Sequence, residues 1–395
     1  MNLSRKNIWK NKLAYYSIKV DLIGLIIITI FDKWINSGMS LAQILLLQGI
    51  FGLLILLSEF PSGIIADIWS RKSVLFLGQI FLILGIITYY FMFSFVGFVF
   101  AEAFLSLGLS FKSGTDSAFA YDSYLEINSP KESDNIISRG QQVMLFGNIF
   151  MLSTGGLLNS VSSNIPFMIA VVGYMFSTSI LIIAIEPKRS KSSSSKFIIK
   201  KSIGYLNHPI VLKVLLMLVF LQVVLRIAFW AYIPQLSLTN LDPAFFGFVL
   251  GGANLVAFLA SVWAKENKDS KILFFLVPLG VLGLLLMMSN VLLVIMIAIA
   301  FHQISRGIIR VINTVYLNRI VGSEVRASIA SLLSTIVSLF YFVFTVVIDI
   351  LQLDQNSIIF INFIIGLGFL FGWIIMNYYP KNSSVSKNHV SPSLD

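Results

Sequence analysis

The chain has 395 residues, of which 57% are hydrophobic and 12% are charged, and it carries a formal net charge of +10 with no cysteine. Soluble domains have about 25% charged residues, so this composition leaves too little polar surface for a water-soluble globule and indicates an integral membrane protein. The lack of cysteine excludes disulfides and thiolate metal sites, and no nucleotide-binding loop of the form G-x-x-x-x-G-K-S/T is present. We therefore expect no metal, no cofactor and no enzymatic activity.

Long apolar runs separated by short polar breaks follow one another along the whole chain. A helix needs about 20 apolar residues to cross the hydrocarbon core, and twelve runs are candidates by that criterion. They cover residues 13–34, 41–66, 73–92, 95–123, 137–161, 165–186, 209–235, 243–264, 271–288, 290–317, 325–351 and 356–378. The first run lacks a clear small-residue cleavage site, so we expect it to remain as a helix. The sequence thus predicts an all-α integral membrane fold of twelve transmembrane helices.

Lysine and arginine residues are concentrated in alternate breaks. Every second break is basic, whereas the breaks between them contain only Lys33. The basic positions are Arg71, Lys72, Lys131, Arg139, the segment 188–201, Lys265, Lys268, Lys271, Arg319, Arg326, Lys381 and Lys387. This asymmetry predicts a multi-pass protein of the cell membrane with both termini in the cytoplasm. The net positive charge is explained by this orientation, and we expect no nucleic-acid partner.

A polar segment rich in serine and lysine separates the first six runs from the last six. We expect a cytoplasmic N-terminal tail at residues 1–12, a six-helix bundle at 13–187 and a flexible cytoplasmic linker at 188–208. A second six-helix bundle is expected at 209–378, followed by a disordered cytoplasmic tail at 379–395.

Four residues in the break after the second run carry the clearest motif: Gly63, Asp67, Arg71 and Lys72. Their spacing resembles the loop signature of the major facilitator superfamily, G-x-x-x-D-R-x-G-R-K, which joins the second and third membrane helices. Ile68 and Ser70 replace the first basic residue and the second glycine of that signature. The resemblance implies that the four residues act in gating on the cytoplasmic side. We also expect Gly63 to let two helices approach closely.

Further segments are similar to drug-exporter-like bacterial members of the superfamily. They are Glu59-Phe-Pro-Ser-Gly63, Ser113-Gly-Thr-Asp-Ser-Ala-Phe-Ala-Tyr-Asp122, and Tyr316-Leu-Asn-Arg319 with Arg326-Ala-Ser. Proton antiporters of the superfamily often carry G-x-x-x-G-P-x-x-G-G in the fifth span, where this chain keeps Gly147, Gly155 and Gly156 without the central Gly-Pro. Close packing of small residues explains Gly155 and Gly156 without indicating a direction of transport. The resemblance implies two six-helix bundles that rock around a central site.

Ionisable residues inside the apolar runs are concentrated in runs one, four, seven and ten. They are Lys19, Asp21, Glu102, Lys112, Asp116, Arg226, His302, Arg306 and Arg310. Each costs about 2.5 to 3.5 kcal/mol at a helix centre unless it faces water or a partner, so such residues are functional candidates by default. In the superfamily fold the same four helices line the central cavity. The charge distribution therefore selects the helices that the resemblance implies.

The carboxylates in these runs are candidates for proton coupling, because a carboxyl group in a low-dielectric cavity can load and release a proton. We expect Glu102 to bind the coupled proton, with Asp21 and Asp116 as the other candidates. The candidates for the substrate cavity form polar stripes on spans seven and ten. They are Gln222, Arg226, Trp230, His302, Arg306 and Arg310.

A purely structural role is the alternative for each of these charges. Lys112 and Asp116 lie four residues apart on a predicted continuous helix and can satisfy each other there. Glu102 can instead pair with Arg226 or Arg306 and hold the two bundles together. A neutral His302 hydrogen-bonded inside a bundle is as consistent with the sequence as a proton relay.

The sequence therefore predicts a secondary active transporter that couples protons to the efflux of a small amphipathic compound by alternating access. The expected partners are a small-molecule substrate, protons and the lipid bilayer, and we expect a monomer. Two alternatives remain open: an uptake permease for an organic solute, and a non-transporting membrane receptor or immunity protein with the same fold. Substrate-dependent proton movement in vesicles distinguishes a transporter from a receptor.

Overall fold

The structure is a computed structural model that describes residues 3–188, 209–266, 270–320 and 326–378. These ranges are helical and contain no β-strand. The predicted linker beyond Lys188 and the predicted tail at 379–395 lie outside the described residues. The side chains of Asp67 and Arg310 also lie outside the described part of the structure.

The helices of the described ranges follow the predicted apolar runs. They are α1 (Ile8–Lys19), α2 (Ile23–Asn36), α3 (Leu41–Ile68), α4 (Arg71–Phe91), α5 (Phe95–Lys112), α6 (Thr115–Glu126), α7 (Pro130–Val161), α8 (Asn164–Ile183), α9 (Pro209–Ser237), α10 (Phe246–Glu266, preceded by a 3-10 turn at Pro243–Phe245), α11 (Ser270–Leu286), α12 (Leu292–Ile320), α13 (Arg326–Ile350) and α14 (Gln355–Tyr378). Each predicted run overlaps at least one of these helices. Among the described residues, ten stretches are apolar and long enough to cross a membrane.

Two of the predicted runs are each divided into two helices. In the first run, α1 ends at Lys19, and Val20 adopts extended backbone before α2 begins at Ile23. In the fourth run, α5 ends at Lys112, and Gly114 has a φ of 71° immediately before α6. Glycine adopts this left-handed conformation without the penalty that other residues incur. The helix in each of these two runs is therefore interrupted, although each run still forms a single stretch that is long and apolar enough to cross a membrane.

Serine side chains fix several helix starts at short breaks between runs. The hydroxyl oxygen of Ser94 accepts a hydrogen bond from the Gly97 amide at 3.2 Å, and Ser70 caps α4 through the Ser73 amide at 3.1 Å. Capping satisfies an amide group that has no partner inside the helix. The break of only three residues between α4 and α5 is thus a true helix boundary.

Contacts between the helices divide the chain into two compact units. The first unit comprises Met1–Lys191 and Asp242–Gly252, and the second unit comprises Ser192–Leu241 and Ala253–Asp395. A core of the first unit forms where α1, α4, α6 and α8 meet. Its buried residues are Ala14, Ile18, Leu75, Phe119, Leu181 and Ala184. This core holds together the helices that carry most of the charged residues described below.

Close packing of glycines occurs on α7 within the first unit, as the sequence predicts. A Cβ atom placed on Gly155 would overlap the carbonyl oxygen of Leu25 on α2. A Cβ atom on Gly156 would lie 2.6 Å from the Ala244 carbonyl oxygen and 3.1 Å from the Gly247 amide nitrogen. Small residues allow such backbone approach between membrane helices. Larger residues at either position would force α7 away from its neighbours.

Candidate functional site

Arg71, at the first position of α4, forms an ion pair inside the first unit. Its Nη1 atom lies 2.8 Å from Oδ2 of Asp122 on α6. The Asp122 side chain is 1% exposed and the Arg71 side chain is 14% exposed, so the pair is largely shielded from solvent. The contact is an ion pair rather than a well-aligned hydrogen bond. It joins the start of α4 to the middle of α6.

Glu186, just beyond α8, satisfies the free amides at the start of α4. Its carboxylate accepts hydrogen bonds from the backbone amides of Arg71 at 2.9 Å and Lys72 at 2.8 Å, and from the Ser70 hydroxyl at 2.7 Å. A carboxylate at a helix N-terminus is stabilised by the unpaired amides and by the helix dipole. This bond set fixes the direction in which α4 leaves the loop.

The Lys72 ammonium forms a second set of hydrogen bonds between the start of α4 and the end of α8. It donates hydrogen bonds to the carbonyl oxygens of Ile182 at 2.6 Å and Ala184 at 2.7 Å, near the C-terminus of α8. A cation at a helix C-terminus is stabilised by the free carbonyl groups there. Of the charges of the loop motif, Arg71 is thus bound to α6 and Lys72 to the C-terminal end of α8, both within the first unit.

Gly63 does not make the close contact that the sequence predicts. Apart from its chain neighbours and the adjacent backbone of its own helix, no heavy atom of the described residues lies within 4 Å of a Cβ atom placed on Gly63. Sequence reasoning also missed Asp122 and Glu186 as partners of the motif. The available signals were the position of Asp122 at the polar end of the fourth run and of Glu186 at the end of the sixth, immediately before the basic segment.

The breaks in the first and fourth runs bring two opposite charges together. Lys19, the last residue of α1, forms a salt bridge with Asp116 in the first turn of α6. Their side chains are only 4% and 8% exposed. Asp116 also accepts hydrogen bonds from the amide of Ser117 at 2.5 Å and from its hydroxyl at 3.0 Å. The structural alternative, in which Lys112 and Asp116 satisfy each other on one continuous helix, does not hold, because the helix ends between them.

Two further charges belong to the same breaks. Asp21 accepts hydrogen bonds from the Ile23 amide at 3.2 Å and from the Tyr174 hydroxyl at 3.3 Å. Lys112, at the end of α5, lies close enough to be attracted by the carboxylates of Asp21 and Asp116 and repelled by the ammonium of Lys19. Each lysine therefore ends a helix and each aspartate lies next to a helix start, where the helix dipoles favour these signs. We call Lys19, Asp21, Lys112 and Asp116 the break cluster.

Glu102 lies elsewhere in the first unit, in contact with α3 and α4. Its Oε1 atom accepts hydrogen bonds from Gln48 Nε2 at 2.7 Å and from the Tyr89 hydroxyl at 2.5 Å. Glu102 is 4% exposed, and the Tyr89 ring stacks on Phe98 with a centroid separation of 5.7 Å. Both hydrogen-bond partners are neutral and belong to the first unit. Glu102 thus links three helices of that unit.

We expect Glu102→Gln to leave the protein folded and proton-driven transport largely unchanged, because an amide oxygen can still accept both hydrogen bonds. Glu102→Leu leaves the Gln48 and Tyr89 donors without an acceptor, at about 1 to 3 kcal/mol for each buried group. Melting temperature in detergent and transport driven by a pH gradient measure the two effects. Loss of gradient-driven transport in a stable Glu102→Gln protein would instead make Glu102 the proton site.

Two arginines of the second unit lie against aromatic rings. The guanidinium carbon of Arg226 on α9 lies 4.4 Å from the centre of the Tyr341 ring on α13. The guanidinium carbon of Arg306 on α12 lies 5.5 Å from the Phe229 ring on α9. Cation–π contacts of this kind are worth about 0.5 to 2 kcal/mol, more when water is excluded. The rings orient both guanidinium groups without neutralising them.

His302 is packed inside the second unit. It is 1% exposed, and its ring stacks on Tyr232 of α9 with a centroid separation of 5.9 Å. A Cβ atom on Gly283 of α11 would lie 3.0 Å from the His302 ring. Trp230 contacts Phe229 edge-on at 5.3 Å. His302 and Trp230 thus contact aromatic residues of α9, whereas the side chain of Arg310 lies outside the described part of the structure.

A family model described as Major Facilitator Superfamily matches residues 20–345. The chain belongs to the major facilitator superfamily. This assignment confirms the all-α membrane fold predicted from the sequence and indicates a multi-pass membrane transporter rather than an enzyme. No sequence among curated proteins matches the chain.

Several solved transporter structures share the fold. The nucleoside transporter NupG is similar with a TM-score of 0.77 and 12% identity, over 94% of this chain and 99% of that chain. A POT family transporter is similar with a TM-score of 0.71 and 12% identity, over 95% of this chain and 96% of that chain. A bacterial homolog of the human lysosomal transporter Spinster is similar with a TM-score of 0.66 and 15% identity, over 94% of this chain and 96% of that chain. At such low identity the similarity shows the fold alone.

Proposed function

We propose that this protein is a proton-coupled secondary transporter that exports a small amphipathic compound across the cell membrane by alternating access. Membership of the superfamily supports transport. The segments that resemble drug-exporter-like members support export. The observation that carries proton coupling is the buried Lys19–Asp116 pair at two helix breaks. Discontinuous membrane helices commonly form the ion and substrate sites of secondary transporters.

The Lys19–Asp116 pair provides a physical mechanism for coupling. With Asp116 ionised, the pair ties the end of α1 to the start of α6. A proton taken up by the Asp116 carboxylate removes its negative charge, and Lys19 then loses its salt-bridge partner while its ammonium stays 5.4 Å from the centre of the Tyr15 ring. Losing one partner of a buried pair costs about 3 to 5 kcal/mol, and each 1.4 kcal/mol changes an equilibrium about tenfold. A free-energy change of this size on protonation is therefore large enough to change which helix arrangement is favoured.

The other carboxylates take different roles in this proposal. Asp21 lies in the break between α1 and α2 and is held by Tyr174, so it is the second candidate for the proton. Glu102, the first proton candidate from the sequence, holds α3, α4 and α5 together through neutral partners, and it is the alternative proton site that the Glu102→Gln variant tests. Proton release from the break cluster then restores the Lys19–Asp116 pair and completes the cycle.

Vesicles containing the purified full-length protein test the transport function. An acidic lumen is imposed on the vesicles, and a panel of amphipathic compounds is added while a pH-sensitive dye reports the gradient. An exporter that exchanges substrate for protons dissipates the gradient when its substrate is present. Empty vesicles and vesicles with the Asp116→Asn protein serve as controls.

The same assay distinguishes the alternatives. An uptake permease moves protons together with solute, so solute added outside without any gradient acidifies the lumen. The structural similarity to a nucleoside transporter and a POT family transporter makes organic solutes the compounds to test for this outcome. A receptor binds a compound without moving protons in either assay. That last outcome would overturn the transport proposal.

The proposed orientation can be checked with single cysteines, because the natural chain contains none. We expect Asn36→Cys, at the exposed end of α2, to react with a membrane-impermeant maleimide in intact cells. Lys131→Cys, exposed near the start of α7, should react only after the cells are permeabilised. Both expectations follow from the basic residues in alternate breaks. The reverse labelling pattern would place both termini outside.

A further inference from the structure

One part of the second unit carries buried hydrogen-bond donors without acceptors. Gln222 and Arg226 lie four residues apart on α9, and the Arg226 guanidinium lies over the ring of Tyr341 on α13. The Nε2 atom of Gln222 and the hydroxyl of Tyr341 are both buried, and neither has a hydrogen-bond partner among the described residues. We call Gln222, Arg226 and Tyr341 the donor cluster.

No acidic residue in the described part of the second unit pairs with this cluster. The acidic residues there lie at helix ends: Glu266, Asp349 and Asp354. Arg226 lies in the interior of α9, and none of the described carboxylates forms a salt bridge with it. The donor cluster is therefore a region of excess positive charge.

The donors of this cluster need a hydrogen-bond acceptor that the described residues do not supply. Buried polar groups almost always have a partner, and an unpartnered group points to a ligand, an ion or a bound water. An amide NH₂, a guanidinium and a phenolic hydroxyl can all donate, and the guanidinium cannot accept. A neutral carbonyl supplies lone pairs without balancing the charge of Arg226. An anion supplies both.

We propose that the donor cluster binds the carboxylate or phosphate group of an amphipathic organic anion. The Arg226 guanidinium can donate two parallel hydrogen bonds to such a group, and the Tyr341 ring holds its plane in place. Phe229 and Trp230 supply aromatic surface nearby on the same helix for the apolar part of the ligand. That this anion is the transported compound rests on the proposed function, whereas its binding does not.

Binding to the purified full-length protein in detergent tests the proposal with four probes of matched apolar shape. Naphthoate and naphthyl phosphate are anionic, naphthamide is neutral and naphthylmethylammonium is cationic. We expect one or both anions to bind and raise the melting temperature in a concentration-dependent way. The neutral and cationic probes should bind much more weakly, and their similar apolar bodies control for partitioning into the detergent. The two anions separate a carboxylate site from a phosphate site.

Variants of the donor cluster give the second part of the test. Arg226→Gln should weaken anion binding by about tenfold or more, because charge-assisted hydrogen bonds are lost. Tyr341→Phe keeps the ring beneath the guanidinium and removes the hydroxyl donor, so it should weaken binding by a smaller factor at unchanged stability. Arg139→Gln removes an exposed arginine of α7 and should bind as the natural chain does. If Arg226→Gln does not fold, Tyr341→Phe and Gln222→Leu carry the comparison.

Three outcomes would overturn the inference. They are equal binding of naphthamide and naphthoate, unchanged anion binding in a folded Arg226→Gln protein, and no binding of either anion at millimolar concentration. The last would mean that Arg226 and Tyr341 form a structural contact only. Failure of the proposed function is distinguishable: anion binding without flux in vesicles contradicts transport and leaves the site intact. Flux of cationic or neutral compounds alone supports transport and contradicts the anion as the transported compound, whereas the binding assay decides whether the anion site exists.

Discussion

Asp116→Asn is expected to abolish proton-driven transport. The amide imitates the protonated carboxyl group at nearly constant volume, so the break cluster would be held in one of its two charge states. Without the proton cycle at Asp116, the Lys19–Asp116 pair can no longer form and break during transport. The variant also leaves the buried Lys19 without its salt-bridge partner. We therefore expect the free energy of unfolding to fall by up to about 3 to 5 kcal/mol, which a lower melting temperature would report.

The double variant Lys19→Gln/Asp116→Asn separates coupling from structure. It removes both charges, so the stability lost in the single variant should return in large part. If the pair only supports the fold, proton-driven transport should return as well. If the pair couples proton movement to transport, the double variant should be stable and still inactive. Asp134→Asn, which removes an exposed carboxylate of α7, is the matched control and should behave as the natural chain does.

The apolar runs predicted most of the fold because membrane crossing requires a minimum length of apolar chain. The helix breaks in the first and fourth runs could not be predicted in the same way. Val20-Asp21-Leu22 contains no glycine or proline, and Gly114 lies in a segment whose overall composition is compatible with a continuous helix. Run length alone does not show where a helix is interrupted.

Candidate residues were easier to predict than their partners. Charges within apolar runs identify Lys19, Glu102 and Asp116 because burying a charge in a membrane is costly. The partner of each charge depends on helix rotation and on contacts between distant segments. Lys19 and Asp116 come from the first and fourth runs, and Glu186 binds the start of α4 from the end of α8. Periodicity within a single run contains no information about such contacts.

Asp122→Asn is expected to destabilise the first unit strongly. It removes the negative charge from the pair that Arg71 forms at 2.8 Å, and it leaves the arginine largely buried. The loss should lie toward the lower end of about 3 to 5 kcal/mol, because the partly exposed Arg71 retains some contact with solvent. Melting temperature in detergent measures the effect, with Asp134→Asn as the exposed control.

The double variant Arg71→Gln/Asp122→Asn then tests the gating role that the loop motif implies. Removing both charges should restore much of the stability, because no buried charge remains unpaired. Glu186 can still bind the amides at the start of α4, so the loop keeps its main backbone anchor. If the Arg71–Asp122 pair takes part in gating, the stable double variant should bind substrate normally and transport it slowly. Transport at the natural rate in that variant would show that the pair only stabilises the first unit.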